Sequence, residues 1–247
     1  MHEKPKKIAI ITGISGNIGR DIALKLADEG ILPLGLDRTE WASEVPIFSA
    51  DLELFAKSPK IQKAFMALCE PLCDKAEEIT LINNAAKQTT GHLMKLTPDD
   101  LLDSLHVNAI APFLLSQLLA NAYPAKLKTI VNITSIHSQL TKSEFGAYAI
   151  SKATLSALTR VLSLEIGHTT RVCEIRPAAI DTDMLRAGLK SASSLKKLEN
   201  FHPSGTIGQS DDVVSMLLAI LRTPSIFLNG TVINLDGGIS NRLHDPE

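Results

Sequence analysis

Short apolar runs rich in β-branched residues alternate with longer segments of helical spacing along the whole chain. The runs are IAIIT, ILPLGL, PIFSA, ITLIN, TIVNIT, RVCEIR and TVINL. Strands that are each followed by a helix run parallel, and a parallel sheet is covered by helices on both faces. The alternation therefore predicts an α/β fold built on a parallel sheet.

Length and composition favour one compact unit. The chain has 247 residues, of which 45% are hydrophobic, and this is enough for a substantial core. We expect a single domain over residues 1–247. One segment, LRAGLKSASSLKKLENFHPSG at 185–205, is polar and loosely patterned, and we expect it to be a flexible loop near the end of the sheet.

Charge and cysteine content exclude several classes of protein. The net charge is −2 and the basic residues are scattered, which does not favour nucleic-acid binding. No run approaches the roughly eighteen apolar residues of a membrane span, and the N-terminus lacks a signal-like apolar core, so we expect a cytoplasmic protein without membrane contact. Cys69 and Cys73 have no histidine or second cysteine pair nearby, so we expect buried thiols and no metal site.

The stretch TGISGNIGR at 12–20 joins the first strand to the first helix. Its glycine spacing fits neither the G-x-G-x-x-G fingerprint nor a Walker loop. At this place in a doubly wound sheet, backbone N–H groups and a helix N-terminus attract phosphate. We expect Gly13 to let the chain leave the strand, Gly16 to allow close approach of the ligand, and Gly19 to let the helix pack on the sheet. Spacing alone leaves an ordinary glycine-rich turn equally open.

Three downstream residues suggest acid–base chemistry. Tyr148 and Lys152, in YAISK, are four apart and share one face of a helix, and Ser135 ends the strand TIVNITS thirteen residues before Tyr148. An adjacent ammonium stabilises a phenolate and lowers the tyrosine pKa, so the pair can transfer a proton. A serine hydroxyl at the strand end can orient a carbonyl or alcohol oxygen.

With these motifs the sequence resembles the short-chain dehydrogenase/reductase family, in its single-domain branch of about this length. The glycine motif T-G-x-x-x-G-x-G matches at Thr12, Gly13 and Gly19, N-N-A-G matches NNAA at 83–86, and D-G-G matches near the end. The family's Asn-Ser-Tyr-Lys tetrad falls on Asn108, Ser135, Tyr148 and Lys152. The resemblance implies a doubly wound Rossmann fold with a seven-stranded parallel sheet.

Three positions depart from the family pattern. Asn17 replaces the middle glycine of the loop, and Ala86 and Ala178 replace the last glycines of N-N-A-G and P-G. Asparagine tolerates a left-handed backbone better than other residues, so we expect the loop to bind pyrophosphate still. The two alanines are small enough to leave the nicotinamide site open.

The resemblance implies a dinucleotide site formed by Gly13, Ser15, Gly16, Asn17, Ile18, Gly19, Asp37, Arg38, Asp51, Leu52, Asn84, Ala85, Ala86, Tyr148, Lys152, Pro177, Ile180 and Thr182. Asp37 ends the second strand, where a carboxylate accepts the ribose hydroxyls of NAD and repels the 2′-phosphate of NADP. Arg38 beside it could bind that phosphate. Family members that prefer NADP usually lack an acid at this position, so we expect NAD, with NADP as the weaker candidate.

Other residues of this set have narrower expected roles. By the resemblance, Asp51 contacts the adenine amino group with Leu52 alongside, although a solvated loop acid is the alternative. Asn84 is expected to bridge strands beneath the cofactor. Ile180 and Thr182 match the positions that hold the nicotinamide carboxamide.

The function implied is reversible hydride transfer between NAD(H) and a secondary alcohol or ketone. Tyr148 is the expected acid–base, Lys152 lowers its pKa and holds the ribose, and Ser135 polarises the substrate oxygen. Asn108 anchors a water, or is a buried polar residue satisfied within its helix. The substrate contacts expected are Ser135, Tyr148 and His137, a histidine that would either donate to the substrate or bond to backbone.

Two alternatives remain open at this stage. An NADPH-dependent 3-oxoacyl (acyl carrier protein) reductase has the same tetrad, and a non-catalytic dinucleotide sensor or scaffold has the same fold. Members of the family commonly pack the helices that bear Asn108 and Tyr148 against a second copy, so a homodimer or homotetramer is expected.

Overall fold

The computed structural model describes residues 7–39, 41, 45–189 and 191–243. Its strands are β1 (Lys7–Thr12), β2 (Ile31–Asp37), β3 (Ile47–Ser49), β4 (Glu78–Asn83), β5 (Leu127–Ile133), β6 (Arg171–Pro177) and β7 (Val232–Leu235). They form one parallel sheet in the order β3-β2-β1-β4-β5-β6-β7. The direction of winding reverses between β1 and β4, which opens a crevice at the carboxyl ends of these strands.

Helices cover both faces of this sheet. They are α1 (Asn17–Asp28), α2 (Leu52–Lys57), α3 (Pro59–Cys73), α4 (Pro98–Leu105), α5 (Ala111–Ala122), α6 (Gly146–Glu165), α7 (Asp183–Gly188), α8 (Ala192–Phe201) and α9 (Ser210–Arg222). The seven-stranded Rossmann-like architecture that the sequence predicted is confirmed.

Strand residues alternate between two hydrophobic cores. Ile8 and Ile10 of β1 join a cluster with Leu115 of α5, whereas Ile11 joins a second cluster with Leu217 of α9 on the opposite face. Burial of one such side chain contributes about 1.5–3 kcal/mol. Two cores on opposite faces hold the sheet in place, and the strand ends project from it into the crevice.

The helix that carries Asn108 contains a local irregularity. Thr97 starts α4 with a capping box to Asp100, and a π-helical turn, His106–Ile110, then joins α4 to α5. Such turns insert an extra residue into the helix and often occur at functional sites. Here the turn packs against α6, the helix that carries Tyr148 and Lys152.

By length and composition the helical run Pro98–Ala122 could cross a membrane, with a mean hydropathy of 1.2 over its most apolar part. The sequence expectation considered only uninterrupted apolar runs and so missed it. Leu115 and Leu119 of this run are fully buried in the core, and Asp99 and Asp103 lie in its first two turns. A core helix of a Rossmann fold meets the same criterion, so the run carries no argument for a membrane.

The segment 185–205 differs from the expectation of a flexible loop. It contains the end of α7 and all of α8. The two helices are capped by side chains, since Thr182 accepts from the N–H of Leu185 and Ser191 accepts from that of Ser194. Ser191, which the sequence suggested was a loop residue, therefore acts as a helix cap.

The three cysteines are buried and unpaired, as predicted. Cys69 and Cys73 lie on α3 and Cys173 lies on β6. Within the ranges that the structure describes, no group of three or more histidine, cysteine or acidic side chains is arranged to hold a metal ion.

Candidate active site

A cleft of about 1170 Å³ runs along the carboxyl ends of the strands. All of the sequence-predicted cofactor, catalytic and substrate residues line it, with the exception of Asn108. Asp37 and Asp51 lie at its β2–β3 end, and Ser135, Tyr148 and Pro177 lie at its β5–β6 end. The cleft thus extends across the carboxyl ends of the strands from β2 to β6, the place where an open α/β sheet binds a dinucleotide, and the acid–base residues lie on its β5–β6 side.

The glycine loop leaves β1 through a left-handed residue. Gly13 has a φ of 68°, and a Cβ there would lie 2.8 Å from the Cα of Ala85. A Cβ at Gly19 would collide with the carbonyl oxygen of Gly13 and lie 2.9 Å from the Nδ2 of Asn84. Gly19 thus allows the first turn of α1 to approach the loop itself, rather than the sheet as the sequence suggested.

This loop fits a phosphate group. Gly16 is the N-cap of α1 and has no side chain to bond the first N–H groups of the helix. The N-terminus of the twelve-residue helix is therefore available to an anion that enters the cleft. A dinucleotide would place its pyrophosphate against this N-terminus.

Asn17 has a role that sequence reasoning missed. It is the first residue of α1, and among the described non-glycine residues only Glu144 has a positive φ, so the expected left-handed backbone at Asn17 is wrong. Its Oδ1 instead accepts from the backbone N–H of Asp183 at 3.0 Å. The side chain that replaces a family glycine thus joins the glycine loop to the start of α7. Because its partner lies 166 residues away along the chain, no local sequence pattern predicts this contact.

Asp37 is held by the backbone around it. Its two carboxylate oxygens accept from the N–H of Ser15 at 2.9 Å and from that of Thr39 at 3.1 Å. Arg38 is exposed, with its Nη1 4.0 Å from a carboxylate oxygen of Asp51. A negative charge thus lies at the mouth of the glycine loop, and a mobile cation lies next to it.

Asp51 and Asn84 make the polar contacts that shape the cleft walls. Asp51 caps α2 by accepting from the N–H of Glu53 at 2.7 Å, and Leu52 beside it is buried. Asn84 donates its Nδ2 to the carbonyl oxygens of Thr12 and Gly13, both at 3.1 Å. Asn84 therefore bridges β4 and β1 beneath the cleft, as the sequence predicted.

The β6 end of the cleft is formed by the segment between β6 and α7, which is held by a β-bridge and by the N-cap of α7. Pro177 ends β6, and Ile180 forms an isolated β-bridge with Gly208. The hydroxyl of Thr182 caps α7 and also donates to the carbonyl oxygen of Ile180 at 3.3 Å. With Ala178, these residues form the wall opposite the glycine loop.

Tyr148 is the central titratable group. Its side chain is buried on α6, and its hydroxyl bonds to Ser135. Burial raises the pKa of Tyr148 to about 12, and the Ser135 hydrogen bond opposes this only in part. Ser135 also accepts from the backbone N–H of His137 at 3.2 Å, which fixes the serine at the strand end.

Lys152 lies one turn further along α6. Its Nζ donates to the carbonyl oxygen of Ile133 at 2.9 Å and lies 5.8 Å from the centre of the Tyr148 ring. Burial lowers the pKa of Lys152 to about 8, and the carboxylate of Glu174 opposes this. The net pKa of Tyr148 is therefore raised, where the sequence predicted a lowered one, because burial of the phenol is the largest influence on it.

Asn108 is fully buried but does not line the cleft. Its Oδ1 accepts from the N–H of Lys87 at 2.7 Å, and its Nδ2 donates to the carbonyl oxygen of Lys87 and to the hydroxyl of Ser151. The side chain is thus satisfied between the segment after β4 and helix α6, not within its own helix. It ties Lys87, which follows the NNAA motif, to the helix of Tyr148.

His137 is part of an aromatic group. Its ring stacks on Phe145 with centroids 4.6 Å apart and meets the edge of Tyr148 at 5.8 Å. Its Nδ1 bonds to the hydroxyl of Thr141 at 3.1 Å. Burial, aided by Lys142, lowers the pKa of His137 to about 4, so the ring is neutral at physiological pH. Of the two alternatives that the sequence left open, donation to substrate stays a prediction, and the ring nitrogen bonds to a side chain rather than to backbone.

One charged pair behind the site was not anticipated from the sequence. Glu174 and Arg176 are buried on β6 and form an ion pair at 2.9 Å. The signal was present in RVCEIRP, where Arg171, Glu174 and Arg176 place three charges in an otherwise apolar buried strand. Buried charges in such a strand need partners, and Glu174 also accepts from the hydroxyls of Thr134, next to Ser135, and of Ser156, one turn after Lys152.

Comparison with known proteins identifies the class. A family model described as enoyl-(acyl carrier protein) reductase matches residues 13–240. D-erythrulose reductase of Gallus gallus is 30% identical over 93% of this chain and 94% of its own length. Carbonyl reductase (NADPH) 2 of Sus scrofa is 28% identical over 93% of this chain and 95% of its own. A solved structure of 4-hydroxyisoleucine dehydrogenase complexed with NADH matches with a TM-score of 0.87 at 22% identity, covering 96% of this chain and all of that one.

The chain belongs to the short-chain dehydrogenase/reductase family. It is an oxidoreductase that acts on a secondary alcohol or its ketone and uses a nicotinamide cofactor. The predictions of family, fold and reaction class from the motifs are thereby confirmed, and the 3-oxoacyl reductase and non-catalytic alternatives are not favoured.

Proposed function

We propose that the protein interconverts a ketone and a secondary alcohol with NAD(H) in preference to NADP(H). The observation that carries the proposal is the pairing of Asp37 at one end of the cleft with Ser135, Tyr148 and Lys152 at the other. When bound, the nicotinamide supplies or accepts the hydride. The protein holds the substrate oxygen and moves the proton.

In this proposal Tyr148 donates a proton to the substrate oxygen during reduction and accepts it back during oxidation. Ser135 donates a hydrogen bond to the same oxygen and keeps it beside the phenol. Lys152 steadies the phenolate that remains after reduction, and its buried ammonium binds the cofactor ribose. With a pKa raised to about 12, Tyr148 is protonated at neutral pH, which suits it to act as the acid in ketone reduction.

The cofactor preference gives the first prediction. We expect kcat/KM to be higher with NAD(H) than with NADP(H), because the Asp37 carboxylate repels the 2′-phosphate. Like charges roughly 4 Å apart repel by about 4 kcal/mol at an effective dielectric of about 20. A third of this figure corresponds to about a tenfold ratio of affinities. Replacing Asp37→Ser should narrow or invert the ratio by letting Arg38 reach the phosphate.

The ratio of the two kcat/KM values is the measurement, since the serine variant also loses hydrogen bonds that hold the loop and will weaken both cofactors. Asp183→Ser is the matched control, because Asp183 is a second acid that lines the same cleft, at the start of α7, and should leave the ratio unchanged. A wild-type protein that already prefers NADPH would overturn the assignment of NAD.

We also propose that the substrate carries a sizeable apolar substituent. The segments after β5 and β6 line the cleft with Ile136, Leu140, Phe145, Met184, Leu185, Leu189, Leu198 and Phe201. Leu140, Met184 and Phe201 are each more than 40% exposed. An apolar ligand group that covers them removes this surface from water, which a polyhydroxylated chain does less well.

This second prediction is tested with methyl ketones of increasing chain length and with erythrulose. A buried methylene contributes about 0.8 kcal/mol, so kcat/KM should rise about fourfold per added methylene until the cleft is filled. Leu198→Asn should flatten this rise, whereas Leu68→Asn, at an exposed site of α3 outside the cleft, should not. Erythrulose turned over faster than every methyl ketone would contradict the proposal.

We further propose a homodimer or homotetramer in the cytoplasm. Phe113 on α5 and Ile150, Val161 and Leu164 on α6 are exposed apolar side chains on two helices that can pack against a second copy. Buried, unpaired thiols support a reducing compartment. Sedimentation equilibrium tests the assembly, and a monomeric mass at micromolar concentration would contradict it.

A further inference from the structure

We propose that Glu174 and Arg176 act as positioning residues for the reaction: their buried pair holds the elements that carry Ser135 and Lys152 in register. The inference rests on the proposed function for its catalytic consequence. Its electrostatic consequence can be measured without any turnover.

The geometry of the pair links three elements of the site. One carboxylate oxygen of Glu174 accepts from the hydroxyl of Thr134 at 2.6 Å and from the Nε of Arg176 at 3.0 Å. The other accepts from the hydroxyl of Ser156 at 2.8 Å. Arg176 also donates to Ser156 at 3.2 Å. A single fully buried carboxylate therefore joins β5, β6 and α6.

Each partner of this carboxylate lies next to a residue of the active site. Thr134 directly precedes Ser135. Ser156 follows Lys152 by four residues, one turn along the same face of α6. A displacement of Glu174 would therefore be passed to the serine hydroxyl and to the lysine ammonium.

A purely structural role explains the pair poorly. Burial of two charges costs free energy that their attraction does not always recover, and an apolar pair of similar volume is often as stable. The neighbouring β6 residues Val172, Cys173 and Ile175 are apolar and completely buried. The same strand could have continued in that way, and it carries charges at the positions that contact the serine and lysine elements.

Electrostatics give the pair a second function. The groups around Lys152 are the Tyr148 phenol on its own helix and the Ile133 carbonyl at the end of β5, and the Glu174 carboxylate on β6 acts on it electrostatically. Glu174 is the one anion among them. It opposes the lowering of the Lys152 pKa by burial, and Arg176 partly neutralises it.

The test is a pH titration of Lys152 by NMR in lysine-labelled protein, with the Lys152→Met variant to assign the signal. We expect Glu174→Gln to lower the pKa of Lys152 by roughly one unit and Arg176→Met to raise it, since a nearby opposite charge shifts a pKa by about 1–3 units. Glu165→Gln, an exposed carboxylate at the end of α6, should leave it unchanged. Shifts of the same sign in Glu174→Gln and Arg176→Met, or no shift in either, would overturn the proposal.

Measurements of kcat and of the pH profile of kcat/KM test the positioning role of the pair. For alcohol oxidation, Glu174→Gln should shift the pH profile of kcat/KM to higher pH, because a less charged Lys152 stabilises the Tyr148 phenolate less. Glu174→Asp keeps the charge, so it should lower kcat without shifting the profile. If Glu174→Gln does not fold, Arg176→Lys and Arg176→Met make the same comparison, and only the second should shift the Lys152 pKa. Absence of turnover in the wild type would contradict the proposed function and leave the titration as an independent result.

Discussion

Tyr148→Phe is expected to lower kcat by about 100-fold or more, the usual loss when a general acid–base is removed. The hydroxyl is the part that is lost, together with its bond to Ser135. The ring remains and keeps its edge contacts with His137 and Phe145. The Kd for NADH should therefore change by less than about threefold, which corresponds to less than about half of 1.4 kcal/mol of binding free energy.

Tyr123→Phe is the matched control, because Tyr123 is the other of the two tyrosines in the sequence and lies at the end of α5, outside the cleft lining. Steady-state turnover and fluorescence titration with NADH measure the two effects separately. If Tyr148→Phe retained near-wild-type kcat, the proton donor would have to be sought elsewhere.

The same residue sets an expected pH dependence. Burial holds the pKa of Tyr148 near 12, so the phenol is protonated across the neutral range. The rate of ketone reduction should be nearly constant through neutral pH and fall at alkaline pH, whereas alcohol oxidation should rise with pH because it needs the deprotonated phenol. A reduction rate that increased from pH 7 to pH 10 would contradict the role of Tyr148 as the acid.

Local patterns predicted much of the fold and most of the cleft. Alternating apolar runs were enough for a parallel sheet, because each strand and helix is encoded by its own period. The spacing of Tyr148 and Lys152 placed both on one helix face, and Ser135 followed from its position at a strand end. These residues meet because parallel strands all end at the same edge of a sheet.

Contacts between distant segments could not be predicted in this way. Asn17 was expected to adopt an unusual backbone, yet its side chain bonds to Asp183. The direction of the Tyr148 pKa shift was also wrong, since it depends on how completely the folded chain removes the phenol from water. Sequence spacing shows that an ammonium is nearby but contains no measure of desolvation.

The glycine loop provides the other large effect. Gly13→Val should weaken NADH binding by about 100-fold or more, equivalent to about 2.7 kcal/mol. The backbone at Gly13 is left-handed, which costs a β-branched residue about 1–3 kcal/mol, and its Cβ would lie 2.8 Å from the Cα of Ala85. The expected cause is therefore a shift of the loop away from β4, in place of direct filling of the pyrophosphate site.

Gly16→Ala separates this explanation from a general intolerance of side chains in the loop. Gly16 has a φ of −77°, and a Cβ there would meet nothing nearer than the Gly13 oxygen at 3.5 Å. We expect this variant to bind NADH within about threefold of the wild type, a difference in binding free energy of about 0.7 kcal/mol or less. Isothermal titration with NADH, with thermal melting to show that each variant is folded, makes the comparison. Equal losses of NADH affinity in the two variants would mean that any side chain in the loop blocks the ligand. The contact between Gly13 and Ala85 would then not explain the loss of binding.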